Sequence, residues 1–130
     1  MQMKCFFKGM GGAILVLLAA AIIVPQYADY RAALETSDWL SSVTSTTDVI
    51  TTNVKRLKTT TGSGVGVARP VIAQRPPSLV EIADNGVIFL KGGREGQFVV
   101  LIPSYVDGKV VWRCIGGPSH ATRRCNNHWP

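Results

Sequence analysis

Residues 79–115 read LVEIADNGVIFLKGGREGQFVVLIPSYVDGKVVWRCI, and this stretch decides the fold. Leu79–Ala83 and Val87–Lys91 are short apolar-rich runs on either side of Asp84-Asn85-Gly86. Asn-Gly between two such runs is a hairpin signal, because a tight turn there needs residues that tolerate positive φ. Gly92-Gly93-Arg94-Glu95-Gly96 is a second turn. Gln97–Ile102 reads as a third strand, stopped by Pro103. Asp107-Gly108 supplies another turn, and Lys109–Ile115 a fourth strand. Four short strands with hairpin-length connections predict an antiparallel meander. Such a sheet needs a cover on one face.

The cover lies upstream. From Tyr27 to Lys58 apolar residues recur mostly at threes and fours: Tyr30, Leu34, Leu40, Val43, Ile50, Val54 and Leu57, with Thr47 in the same stripe. Acidic residues come early, and Lys55, Arg56 and Lys58 come last, as the helix dipole favours. No proline or glycine interrupts residues 26–61. The predicted element is an amphipathic helix over 26–58, rich enough in Thr, Ser and Val to depend on tertiary packing. Residues 59–78, TTTGSGVGVARPVIAQRPPS, form an irregular connector with three glycines and three prolines. Twenty residues is long for a loop in a compact domain, so the connector is either functional or packed on the surface. The tail after Ile115 has no period.

Further upstream, Met10 to Val24 reads MGGAILVLLAAAIIV, fifteen residues without a charge, followed by Pro25. At ~1.5 Å per residue it is roughly 22 Å long, short of a ~30 Å hydrocarbon core. Counted from Phe6 to Tyr27, with Lys8 reaching the headgroups, the segment is long enough to span. Lys4 and Lys8 favour an N-in orientation, and Pro25 is expected to kink the helix. The predicted organisation is a leader and transmembrane segment over 1–25, then a domain over 26–130. That domain comprises the helix 26–58, the connector 59–78, the sheet 79–115 and a closed loop 114–125. An ordinary secretory signal is the alternative, with cleavage near Ala21 or Ala28, although Ala28 would leave Gln26 where a small side chain is wanted.

The chain has 130 residues and a formal charge of +6. Two of its 14 Lys and Arg precede the apolar run, leaving 12 against 8 acidic side chains. That mild excess, centred on Lys55-Arg56 and Lys58 with Arg123-Arg124 second, suits solvated faces better than a nucleic-acid surface. Of the three cysteines, Cys5 precedes the apolar run, while Cys114 and Cys125 lie near the end. An N-in topology puts the late pair in an oxidising compartment, where a disulfide is the default. Closing that loop is expected to contribute roughly 2–3 kcal/mol.

Two sets of residues then form a pattern. The first is Ala20-Ala21-Ile22-Ile23-Val24-Pro25-Gln26-Tyr27-Ala28-Asp29-Tyr30. The second is Asn85-Gly86-Val87-Ile88, Leu101-Ile102-Pro103, Asp107 through Cys114, and Cys125, with Trp112-Arg113-Cys114 leading into the closed loop. In this order the chain resembles a type IVa pilin. The resemblance implies an α+β fold in which a long kinked N-terminal helix packs on a four-stranded antiparallel sheet. It implies a structural subunit of a type IV pilus, serving surface adhesion, motility or DNA uptake. Its expected partners are the bacterial inner membrane, further copies in a homo-oligomeric filament and a prepilin peptidase. The domain would be periplasmic, or displayed on the cell surface when assembled, with an N-methylated mature terminus. No cofactor and no enzymatic activity are implied. A secretion-system pseudopilin is the neighbouring reading.

The front departs from the family pattern. Counting back from Pro25 puts Lys4 at the mature N-terminus and Lys8 where the family carries glutamate. A second register takes Gly9 as the last leader residue and Met10 as the first mature one, with Ile14 at the glutamate position.

Other chemistry is thinner. Cys114, His120, Cys125 and His128 offer two sulfurs and two nitrogens, at spacings that fit no familiar zinc finger. No nucleophile elbow occurs, and Gly62-Ser63-Gly64-Val65-Gly66 lacks the lysine of a phosphate loop. Trp39 is expected to pack on the helix, and Trp112 to fill the sheet–helix core or the base of the closed loop.

Overall fold

The computed structural model describes Tyr27 and residues 29–129. The Met10–Val24 run, the Gly9/Met10 cleavage register and the Pro25 kink lie outside those residues. Among the described residues no helix is long and apolar enough to cross a membrane. The chain divides into two units, Met1–Arg31 and Ala32–Pro130. In the first, residues 29–31 are helical and the Arg31 guanidinium lies 5.5 Å from the Tyr27 ring centroid, a cation–π distance.

The second unit is α+β. Its four strands are β1 (Leu79–Ile82), β2 (Ile88–Lys91), β3 (Phe98–Val106) and β4 (Lys109–Gly117). They form one antiparallel sheet in the order β1-β2-β3-β4, the expected meander. Gly86 takes φ +86° in the first turn, where Asn85 Oδ1 accepts a hydrogen bond from the Val87 N–H. Asp107 and Gly108 both have positive φ, 51° and 76°, so the last hairpin closes with a two-residue turn of the I′ kind. Pro103 does not stop β3, which continues to Val106. β2 ends its pairing at Ile88 opposite Leu101, so beyond Leu101 the strand has β4 as its one neighbour, a setting that tolerates proline.

The helical cover comprises α1, residues 32–42, and α2, Thr44–Leu57. Val43 separates them, yet its N–H donates to Trp39 O and its carbonyl accepts from the Thr47 N–H, so the hydrogen-bond run continues through it. The hydroxyls of Thr44 and Thr47 bond the carbonyls of Leu40 and Thr44, the back-bonding that loosens helices rich in threonine. Trp39, Leu40, Val43, Ile50 and Val54 are buried with Ile88, Leu90, Val99 and Leu101 in one core. The ends of the expected stripe differ: Leu34 and Leu57 are exposed. Lys55 and Arg56 occupy the last turn of α2, and Lys58 caps it in the left-handed conformation.

The connector packs. Asn53 Nδ2 donates to Ser63 O, and Gly64 N–H donates to Asp84 O. Gly64 is required there, since a Cβ would stand 1.9 Å from Ala83 O. Ile72 reaches the core, and Trp39 Nε1 donates a 2.8 Å bond to Arg75 O. The tail, which showed no period, forms a short helix α3 (Arg123–His128), six residues being too few to display one.

Candidate functional surface around the disulfide-bounded loop

The loop begins on β4 and returns to it. Cys114 and Cys125 form a disulfide with Cα atoms 5.2 Å apart. Cys125 is buried on α3, and Cys114 turns to the helix-facing side of the sheet. Both sulfurs are therefore engaged with each other, which removes the thiolates from the Cys/His set of the sequence.

Close packing and amide bonds hold the loop. Thr122 is fully buried, and its hydroxyl donates to Pro118 O. A Cβ on Gly116 would lie 2.8 Å from Thr122 Cβ, so glycine lets the loop seat against β4. Asn126 closes it: Oδ1 accepts from the Gly116 N–H at 3.0 Å, and Nδ2 donates to Gly116 O at 3.2 Å. His120 pairs with Glu95 of the β2–β3 turn. That turn is itself anchored by Gln97, which is completely buried. Its Oε1 accepts from the Glu95 N–H and its Nε2 donates to Ala32 O. Arg94 adds an ion pair at 3.6 Å to the nearly buried Glu35 of α1.

Arg124 points the other way. Its Nη1 donates to Ser37 O, Ser37 Oγ and Ser41 Oγ on α1. Arg123 is exposed, as are Lys55, Arg56 and Lys58 at the far end of α2. The two basic clusters expected from the sequence thus do not form one patch. Trp129 meets Trp112 edge to face, with ring centroids 6.2 Å apart and an interplanar angle of 80°. Trp112 Nε1 donates to Thr51 Oγ1 at 2.8 Å. Between α2, β4 and α3 lies a cleft of about 350 Å³ bordered by Asp48, Thr51, Trp112, Arg124 and Trp129. Ring faces, hydroxyls, one carboxylate and one guanidinium suit non-covalent recognition.

Trp112, expected in the sheet–helix core or at the base of the loop, is half-buried and packs against the edge of that core, between Thr51 and Trp129. Gln97, Ser63 and Asn126 went unnoticed in the sequence. Gln97 and Ser63 stand beside glycines, which is also how ordinary turns look, and Asn126 has not even that signal. No family model matches the chain, and neither a curated protein nor a solved structure matches it.

Proposed function

We propose that the chain is a pilin-like structural subunit, a major or minor pilin of a type IV pilus, held by its N-terminal apolar run and exposing the disulfide-bounded loop. The observation that supports it best is the Cys114–Cys125 closure on the last strand of a helix-covered meander. The apolar run Met10–Val24 would pack with its copies in a filament core, and the 59–78 connector and 114–125 loop would face partners. Lys8 or Ile14 at the glutamate position removes the carboxylate that family subunits use against a neighbour's N-terminal amine. Assembly by this chain would have to proceed without that pair.

The test is the intact mass and N-terminal sequence of membrane-purified protein, with and without a co-expressed prepilin peptidase, together with electron microscopy of shed material. A peptidase-dependent, N-methylated chain starting at Met10, found in filaments, supports the reading. A chain starting at Met1 in both samples removes the filament claim. Cleavage near Ala21 or Ala28 with release from the membrane replaces it with a secreted binding domain.

A further inference from the structure

The sheet face turned away from the helices is unusually apolar. Strand alternation sends Phe89, Phe98, Val100, Ile102, Val111 and Ile115 outward, opposite to the core residues between them. Phe98, Val111 and Ile115 are exposed, Val111 to 54%. Lys91, Ser104 and Arg113 share this face, and the large apolar side chains grouped among them make it a candidate contact surface.

Register arranges it in rows. One row reads Leu79–Lys91–Phe98–Gly117 and the next Glu81–Phe89–Val100–Ile115 across β1 to β4. Arg113 follows on β4, opposite Ile102. The rows are lopsided about the midline between β2 and β3. Glu81 lies on the first strand and Arg113 on the last, and neither is ion-paired among the described residues. Leu79 stands at one end of its row and Gly117 at the other.

We infer that this face is the interface of a homodimer, two sheets stacked about a two-fold axis that runs along the strands between β2 and β3. That axis sets β1 against β4 of the second copy and β2 against its β3. Each of the two rows then faces itself in reverse, and each contact is made twice. Phe89 meets Val100, large on small. Leu79 falls at Gly117, beside the Phe98 ring that leans over that glycine. Lys91 comes over Phe98, a cation–π geometry. Glu81 faces Ile115 and reaches Arg113, two residues or about 7 Å further along β4, within the span of the two side chains. Stacked sheets lie about 10 Å apart, the spacing that interdigitated Phe and Val side chains fill. The inference goes beyond the filament reading and uses residues 79–117 alone.

The experiment measures association of the full-length chain in mild detergent by sedimentation equilibrium, with far-UV circular dichroism on every variant. The wild type should dimerise. Glu81→Arg and Arg113→Glu should each weaken the dimer about tenfold or more, by setting like charges face to face. The double variant should restore it. In a Cys5→Ser background, a mixture of Phe89→Cys and Val100→Cys chains should be joined into a heterodimer by a short bismaleimide, because sheets about 10 Å apart are too far for a direct disulfide. A monomeric wild type, association unchanged by either single substitution, a double variant that stays dissociated, or absence of the cross-link would each overturn the inference. Unchanged association would place the contact elsewhere, in the N-terminal run for example, and leave the filament reading standing.

Discussion

The Trp112 indole N–H donates a 2.8 Å hydrogen bond to the hydroxyl of Thr51, sixty-one residues earlier, and so ties the last strand to the second helix. The same ring meets Trp129, so one side chain joins β4, α2 and the tail. Thr51→Val keeps the volume and removes the acceptor. An indole N–H left without a partner costs about 1–2 kcal/mol, read as a lower urea midpoint with an unchanged slope. Thr51→Ser should keep most of the wild-type midpoint.

Cys114→Ser or Cys125→Ser opens the loop. The chain-entropy argument for this short closure gives a loss of about 2–3 kcal/mol, seen as a lower melting temperature. Reduction of the wild type should reproduce it. An unchanged melting temperature would mean that Thr122 and Asn126 hold the loop unaided.

Trp39→Phe cuts the bond to Arg75 O and leaves a small void where the completely buried indole extended past a phenyl ring. The expected stability loss is about 2 kcal/mol, the lost hydrogen bond and the void together. The sharper readout is hydrogen exchange at the backbone amides of residues 71–75, which should quicken, because that carbonyl fixes the connector to α1.

Two connector glycines separate space from conformation. Gly64→Ala puts a methyl against Ala83 O and should cost about 3 kcal/mol. Gly62→Ala meets nothing within 4 Å but carries φ +81°, so its cost should be about 1 kcal/mol. Chemical denaturation of both variants gives the comparison.

The turns at Asn85-Gly86 and Asp107-Gly108 were legible because their chemistry is local: these residues accept positive φ whatever surrounds them. The helix was legible by its period. Pro103 was misread because its acceptability depends on neighbours far away in sequence. Gly116 turns its N–H and carbonyl outward to Asn126, and Trp112 has the same parity on β4. Trp112 and Pro103 therefore form a non-hydrogen-bonded pair, and the proline nitrogen faces the side that β2 has already left. Likewise Gln97 finds Ala32 and Arg124 finds Ser37 only after the helix has docked, and no pattern within either segment announces it.

The paired bonds between Asn126 and Gly116 have a consequence for the company the chain keeps. β4 ends the sheet, and its outward amides are a template on which another polypeptide can add a strand. Asn126 occupies both groups of Gly116 with a single side chain, imitating the neighbour that is missing there. An incoming strand is thus confined to the part of β4 before Gly116, and the tail acts as a chaperone carried in the same chain, guarding one end of the sheet against aggregation.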